Sequence, residues 1–329
     1  MTHVTTEQIL LSRLSGRLDK ILAEQLGQSR NQIEKLIRAG HVRVAEEVIT
    51  RPSHKIQLDT PVTYRFIEAP GREEMPVDFD VDILYEDDDL LVVNKPAGLV
   101  VHPAPSVKEP TLVDWLIQRG ISLSTLSGEE RHGIVHRIDK DTTGALVVAK
   151  NNTAHQRLSL QLQDKSMGRY YLAVIDQPLK QSIDVNLPIA RHPKNRLKMA
   201  VVAGGRAART RLLSLAVSPK KRALIAAKLF TGRTHQIRVH LGALSRYILG
   251  DNLYGLKSKE GKIARIYLHA YVLYLTHPTT GKPLEIVAPL FEDMMGYLKQ
   301  NFDEEMLHES IDPDRLRRRF VDDVFDQRV

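Results

Sequence analysis

The stretch that most constrains the fold of this chain is Gly133–Lys150, with the sequence GIVHRIDKDTTGALVVAK. Two apolar, β-branched runs, Ile134–Ile138 and Ala145–Ala149, predict neighbouring strands. Between them, Asp139–Gly144 is rich in turn-forming residues and predicts a polar loop. A side chain at the end of a buried strand is fixed by the scaffold while the loop exposes it. Asp139 is therefore the first candidate for a functional residue.

The residues that precede Asp139 indicate how it would be used. His136 and Arg137 provide a positive field that keeps a neighbouring carboxylate ionised. An ionised, positioned carboxylate acts as a general base, a nucleophile or a metal ligand. The alternative is that Asp139 and Asp141 only cap backbone N–H groups, which is common in turns of this composition. The local sequence leaves these alternatives open.

Composition narrows the class of protein. A chain of 329 residues predicts two or three domains, and a net charge of +7 favours an anionic partner, most simply a nucleic acid. The chain has no cysteine, which excludes disulfides, thiolate nucleophiles and cysteine-ligated zinc or iron–sulfur sites. Residues 1–30 show no signal peptide, and no apolar run is long enough for a membrane span. We therefore expect a soluble, cytoplasmic protein with no membrane partner.

Residues 1–67 are predicted to form a small first domain of two short helices followed by a strand. Apolar residues recur at helical spacing in Leu18–Leu26 and in Ile33–Ile37, and His41–Val44 alternates as a strand does. The pattern SR-x-x-I-x-x-L-I-x-x-G-x-V-x-V resembles an S4 RNA-binding domain. RNA contacts are then expected from the basic residues on the polar face, although such a face is often only solvated; these are Arg30, Lys35 and Arg38.

The remainder of the chain divides by composition. Residues 68–80 are rich in proline and acidic residues and predict an interdomain linker. Residues 81–302 show strands and turns interspersed with helices, which predicts a catalytic or binding domain of the α+β class. Residues 303–329 are interpreted as a charged C-terminal tail, helical or frayed.

The 81–302 region carries further candidate site residues. The strand RYYLAVI places Tyr171 on the face opposite Tyr170, so one of the two is expected to be buried and to point into a cleft. Arg209 and Arg211 are two apart and should share a sheet face. In TGRTHQIRVHL, Thr234 is predicted to cap a helix that presents Arg233 and Arg238 near its start, where they can pair with a carboxylate or a phosphate; the buried stripe of that helix is Ile237, Leu241 and Leu244.

These motifs occur together in one order: KPAG, HRIDKDTTG, RYYLAV, TGRTHQIRVHL and GDNLYG. In this combination the chain resembles the RluA-type pseudouridine synthases, and its S4-like front and RHPKNRLKMAV segment resemble the RluD branch. The resemblance implies a mixed, largely antiparallel sheet flanked by helices, with a cleft across its middle. It also implies isomerisation of uridine to pseudouridine in large-subunit (23S-type) ribosomal RNA, without a cofactor or metal.

The resemblance also assigns roles to individual residues. Asp139 matches the essential aspartate, Tyr171 the tyrosine that stacks on the target base, and Arg238 the basic partner of the aspartate. Arg137 matches an arginine that enters the RNA stack where the uridine has left. Whether the carboxylate attacks C1′, adds to C6 or removes the C2′ proton stays open. Further RNA contacts are expected from His136, Arg209, Arg211 and Arg233, and we expect a monomer.

Two other functions compete with this interpretation. A non-catalytic RNA-binding or ribosome-assembly factor would use the same basic surfaces, but it would not need the set of Asp139, Tyr171 and Arg238. A retaining glycoside hydrolase needs two carboxylates about 5 Å apart, and Asp139 with Asp141 is the pair available. The scarcity of aromatic residues, 5% with one tryptophan, argues against a sugar-binding site.

Overall fold

The computed structural model describes residues 7–26, 30–65, 75–104, 107–124, 132–255 and 263–322. The chain forms two compact units, Met1–Glu74 and Met75–Val329. The first half of the predicted linker, 68–74, and the end of the predicted tail, 323–329, lie outside the described residues. None of the helices in the described part of the chain is long and apolar enough to cross a bilayer.

The N-terminal unit has the two helices followed by a strand that the sequence predicts. Both helices bury their apolar stripes, with Leu18, Leu22 and Ile33 fully inside. Strands β1, β6, β3 and β4 form an antiparallel sheet in that order, and β2 pairs with β5. The elements are β1 (Gln8–Leu11), β2 (Gly16–Arg17), α1 (Leu18–Gln25), α2 (Arg30–Arg38), β3 (Val42–Val44), β4 (Glu47–Val48), β5 (Lys55–Ile56) and β6 (Pro61–Tyr64).

The second unit is built on a nine-stranded sheet. Its elements are β7 (Asp82–Glu86), β8 (Leu90–Lys95), α3 (Leu112–Gln118), β9 (Thr143–Ala149), α4 (Asn152–Asp164), β10 (Gly168–Ile175), β11 (Ile183–Asn186), β12 (Ile189–Arg191), β13 (Met199–Val201), β14 (Arg209–Val217), β15 (Ala223–Leu229), α5 (Gln236–Ala243), β16 (Leu268–Thr276), β17 (Pro283–Val287), α6 (Glu292–Asn301), α7 (Glu304–Ile311) and α8 (Pro313–Asp322). The strand order is β11-β14-β15-β10-β16-β9-β8-β7, with β17 also paired to β16. Strands β9 and β16 run parallel, and the other pairings described in this sheet are antiparallel. The predicted α+β class with a mixed, largely antiparallel sheet is confirmed.

Both faces of the sheet are covered, which explains the uninterrupted apolar runs of its central strands. On β10, Tyr171 and Ala173 belong to the core on one face, and Tyr170 and Leu172 belong to the core on the other. The predicted alternation is therefore correct. The expectation of a single buried tyrosine is not, because each face has its own core and both rings are 4% exposed.

The run Ile134–Ile138 was predicted to be a strand, and this is wrong. Only Ile134 makes an isolated bridge, to Val148. The parallel pairing of β9 with β16 covers just the first two residues of β9. Along the rest of β9, segment 133–138 lies on the side where β16 pairs with its first two residues. The Ala149 N–H donates to the Gly133 carbonyl (2.8 Å), and the Val147 N–H donates to His136 Nε2 (3.2 Å). The segment is held extended by a few backbone and side-chain contacts in place of a strand ladder.

The residues interpreted as a charged tail carry two helices in the described structure. Helices α7 and α8 bury Leu307, Leu316 and Phe320 in the core beneath β10 and β14. The ring of Phe320 stacks on Tyr170 with centroids 4.7 Å apart. Part of the predicted linker is likewise structured, because Asp80 accepts a hydrogen bond from the Trp115 indole at 3.1 Å. Residues of both segments therefore pack as parts of the second unit.

Candidate active site

A cleft opens on the second unit where three distant segments meet. The loop after Ile138 supplies Asp139, strand β10 supplies Tyr171, and the start of helix α5 supplies Arg238. These three side chains were predicted from separate motifs, and the fold brings them to one cavity. Arg137 and Arg233 also line it.

A buried lysine anchors the Asp139 loop through hydrogen bonds to backbone carbonyls. Lys95, at the end of β8, is fully buried, and its amine donates to the carbonyls of Pro96 (2.7 Å), Leu99 (2.8 Å) and Lys140 (2.8 Å). Burial lowers the pKa of Lys95 to about 7, with the charges of Asp141 and Asp139 acting in the opposite direction. Because a lysine in a tight turn is ordinarily solvated, sequence reasoning had no signal for this anchor.

A second anchor fixes the strand that follows the loop. Gly144 has a φ of +109°, and a Cβ at this position would lie 2.3 Å from the Ala270 carbonyl oxygen on β16. Only glycine lets the two strands approach this closely. Thr143 beside it contacts the buried His269 ring at 2.8 Å. The loop that carries Asp139 therefore leads into a tightly packed parallel pair.

Arg238 projects from helix α5 towards Asp139, with 3.2 Å between Nη1 and Oδ2. The predicted cap at Thr234 is wrong: the N-cap is His235, in the left-handed region at φ 57°, and its side chain makes no capping bond. The Gln236 side chain fixes the helix start instead, accepting from the Arg233 N–H at 3.0 Å. Of the predicted stripe, Ile237 and Leu241 are buried.

Asp251 is a site residue that the sequence prediction missed. It accepts two bonds of 2.8 Å from Arg238 and backbone N–H bonds of 3.0 Å from Leu253 and Tyr254. Burial acts to raise the pKa of Asp251, but the bonds and charge of Arg238, together with the N–H groups of Tyr254 and Leu253, lower the pKa overall. The signal available in the sequence was an acidic residue in the glycine-flanked loop GDNLYG. The sequence did not indicate its partner, Arg238, which only the fold brings next to it.

A histidine and a tyrosine complete the wall beside Asp139. The Nε2 atom of His235 lies 3.9 Å from Asp139 Oδ2, and its Nδ1 atom lies 2.9 Å from the Tyr254 hydroxyl. That hydroxyl accepts the Met199 N–H at 2.6 Å, which fixes the tyrosine. Burial, more than the opposing charge of Asp139, lowers the pKa of His235, so the ring is neutral at pH 7.

Tyr171 forms the apolar side of the cleft. Its ring is on the same strand face as Arg169, since the two are separated by one residue on β10. Burial raises the pKa of the Tyr171 hydroxyl, so the phenol stays protonated at neutral pH. A neutral aromatic ring that lines the same cleft as a carboxylate and a guanidinium suits a flat, polar substrate group such as a nucleobase.

The residues expected to contact RNA are found in different surroundings. Arg211 is 8% exposed and binds Asp184 through two bonds of 2.7 and 2.9 Å, and Arg209 binds the same carboxylate. Burial and the neighbouring Arg169 charge hold the pKa of His136 well below its usual range. Arg211 and His136 thus have internal partners where RNA contacts were expected.

The other predicted RNA contacts keep exposed surface. Arg137 is exposed at the cleft, with its Nη1 3.3 Å from His102 Nε2. Arg233 donates to the Ala207 carbonyl at 3.0 Å and lines the same cleft. In the N-terminal unit, Lys35 and Arg38 are exposed, and Arg30 is 47% exposed while bound to Asp19.

One cluster outside the cleft has the composition of a metal site. The ligand atoms of Asp87, Asp89 and His277 lie close together. However, His277 Nε2 donates to Asp87 at 2.6 Å, and its Nδ1 accepts the N–H groups of Thr279 and Thr280. The histidine already uses both nitrogens, so the cluster is a hydrogen-bonded turn.

Comparison with known proteins shows the family to which this chain belongs. The family described as RNA pseudouridylate synthase matches residues 89–243, and an S4 domain matches residues 16–62. An uncharacterized RNA pseudouridine synthase of Helicobacter pylori is 44% identical over 93% of this chain and 96% of its own length. The chain belongs to the RNA pseudouridine synthase family. It is accordingly an isomerase that acts on RNA.

Two further comparisons place this synthase within the family. The ribosomal large subunit pseudouridine synthase D of Zymomonas mobilis is 41% identical over 89% of this chain and 97% of that relative. The solved structure of human RNA pseudouridylate synthase domain containing 1 superposes with a TM-score of 0.53 at 26% identity, over 68% of this synthase and 86% of the human chain. The resemblance inferred from the motifs is confirmed at the level of the family.

Proposed function

We propose that this synthase converts uridines of large-subunit ribosomal RNA to pseudouridine, with Asp139 as the essential nucleophile or base. The observation that carries the proposal is that Asp139, Tyr171 and Arg238 line a single cleft, in which Arg238 donates a hydrogen bond to Asp139. Relatives named ribosomal large subunit pseudouridine synthase D, at 38–41% identity, support the choice of RNA.

The reaction explains why these residue types are needed together. Pseudouridylation breaks the C1′–N1 bond, turns the uracil and joins C5 to C1′, with no net change in oxidation state. Asp139 attacks C1′, adds to C6 or takes the C2′ proton, and each route needs a carboxylate with a fixed orientation. Arg238 provides that orientation, and the Tyr171 ring provides a surface on which the base stacks.

The target uridine must leave its stack to reach the cleft. We propose that the exposed Arg137, at the cleft and next to Asp139 in the loop, fills the space that the base vacates. Arginine suits this role because its planar guanidinium stacks on bases and bonds phosphates. The N-terminal unit, with its exposed basic residues, is proposed to act as a separable RNA-binding module.

The test compares the wild-type protein with Asp139→Asn and Asp141→Asn on a transcript of large-subunit ribosomal RNA. The wild-type and Asp141→Asn proteins should form pseudouridine, and Asp139→Asn should form none while binding RNA with nearly unchanged affinity, because only the charge is removed. Turnover by Asp139→Asn near the wild-type rate would refute the assignment. RNA binding without pseudouridine formation by the wild type would favour an assembly factor.

A further inference from the structure

Arg169 is a buried cation that the mechanism above does not use. It lies on β10 one residue before Tyr170, is 7% exposed and lines the same cleft as Asp139. An arginine keeps its charge in any protein environment. A buried charge without a counter-ion costs several kcal/mol in typical proteins, so its presence in a binding cavity calls for an explanation.

The neighbours of Arg169 in the described part of the chain do not neutralise it. Its Nη1 contacts His136 Nδ1, and the His136 ring is neutral. Its Nε atom is buried without a hydrogen-bond partner, and no carboxylate of the described residues forms an ion pair with it. By contrast, Arg238 is held by two carboxylates and Arg211 by Asp184. Arg169 is thus a buried positive charge at the cleft that no carboxylate of the described residues balances.

The position of Arg169 relative to Tyr171 indicates where this charge acts. The two side chains share one face of β10, and the charges of both Arg169 and Asp139 act on the Tyr171 hydroxyl. Because Asp139, Arg169 and Tyr171 line the same cleft, a base stacked on Tyr171 would lie close to both charged side chains. Uracil is the group that becomes negatively charged during the proposed reaction.

We propose that Arg169 is a catalytic residue that stabilises the uracil as it departs from C1′; this rests on the proposed function. The N1–C1′ bond breaks and its electron pair stays with the base, where the charge is shared by N1, O2 and O4. The C5–C1′ bond then forms, C5 loses its proton and N1 takes one up, so that atoms and charge balance. A fixed cation in a site with little water stabilises this transient anion without reorganisation.

The test uses Arg169→Met and Arg169→Lys, with Arg119→Met as the matched control. Arg119 lies on the protein surface, paired with Asp80 and 46% exposed. Single-turnover loss of the target nucleoside is measured with RNA containing uridine or 5-fluorouridine, whose base is a more acidic leaving group. With uridine, Arg169→Met should react about 100-fold more slowly than the wild type, as when one oxyanion donor is removed. Arg169→Lys, which keeps the charge, should lose less, and Arg119→Met should react normally.

Two readouts separate this role from others. With 5-fluorouridine the deficit of Arg169→Met should shrink to about tenfold, because a better leaving group needs less stabilisation. Its melting temperature should be unchanged or higher, since an apolar side chain replaces an uncompensated buried charge. An unfolded or markedly destabilised Arg169→Met would show a structural role and overturn the proposal.

Other outcomes would also overturn it. In one such outcome, Arg169→Met reacts more slowly by the same factor on both RNAs and binds RNA more weakly, and the salt dependence of its affinity falls by about one phosphate contact. This result would show that Arg169 binds the RNA backbone. A normal rate for Arg169→Met in a preparation whose wild type is active would refute this inference alone. A wild type that forms no pseudouridine on ribosomal RNA would instead refute the proposed function.

Discussion

Arg238 holds Asp251 with two hydrogen bonds of 2.8 Å and Asp139 with one of 3.2 Å. The guanidinium is therefore oriented by the carboxylate that is 1% exposed, and its Nη1 donates to the carboxylate that is 22% exposed in the cleft. A bidentate pair is geometrically specific, so Asp251 fixes the direction in which Arg238 points. Asp139 is positioned without being fully engaged, which leaves its carboxylate available for chemistry.

Asp251→Asn should lower turnover at saturating RNA by about 100-fold, because misplacing a positioning group costs rate even when the reacting group is intact. RNA affinity should change little. Asp184→Asn is the matched control, since Asp184 also binds arginines but is not among the cleft residues. That control should lose stability by about 2–3 kcal/mol and keep its turnover. The measurements are single-turnover rates and urea unfolding; normal turnover by Asp251→Asn would contradict the positioning role.

Gly144→Ala should destabilise the second unit by about 3 kcal/mol or more, because the new Cβ would overlap the backbone of Ala270 and the positive φ is strained for alanine. Gly98→Ala provides the comparison. Gly98 also has a positive φ, of +80°, but a Cβ there meets nothing within 4 Å, so about 1–2 kcal/mol is expected. Urea unfolding of the two variants and the wild type measures both losses of stability. Equal losses would mean that backbone strain, and not close strand approach, selects glycine at Gly144.

Stability should fall in acid through His269. Burial lowers the pKa of this ring from 6.5 to about 4, so the unfolded state binds more protons than the folded state between these values. Its contribution to stability is present above pH 6.5 and is lost as the pH falls towards 4, with a slope of up to about 1.4 kcal/mol per pH unit. His269→Gln should flatten the pH dependence of unfolding, whereas replacing the exposed His308 by glutamine should not. An unchanged slope in His269→Gln would exclude this linkage.

Removing residues 1–74 should weaken RNA binding by about tenfold or more, because exposed cations such as Lys35 and Arg38 would be lost with them. Turnover at saturating RNA should remain close to that of the full chain. The N-terminal unit has a hydrophobic core of its own, which includes Leu18, Ile33 and Val62. Affinity by filter binding and turnover by pseudouridine detection check this. Unchanged affinity with poor turnover would indicate that the N-terminal unit shapes the cleft.

The sequence by itself determined the family, the α+β class and the central residues of the candidate site. Asp139, Tyr171 and Arg238 were assigned to one candidate site because the motifs that contain them resemble, in order and sequence, those of a known enzyme family. Strands such as β9 and β10 were predicted closely because β-branched and apolar runs bounded by turn residues are local signals. Local patterns of this kind depend on a few neighbouring residues, so they can be read without knowing the fold.

Only the tertiary structure decided which partner each polar side chain has. Asp251 became a site residue when the fold placed it against Arg238, thirteen positions away, and Lys95 became an anchor when burial directed its amine to three carbonyls. The same applies to Arg211, whose bond to Asp184 joins two strands. Hydrogen bonds and desolvation depend on distances between segments far apart in the chain. Spacing along the sequence does not encode these distances, so the partners became visible only in the folded molecule.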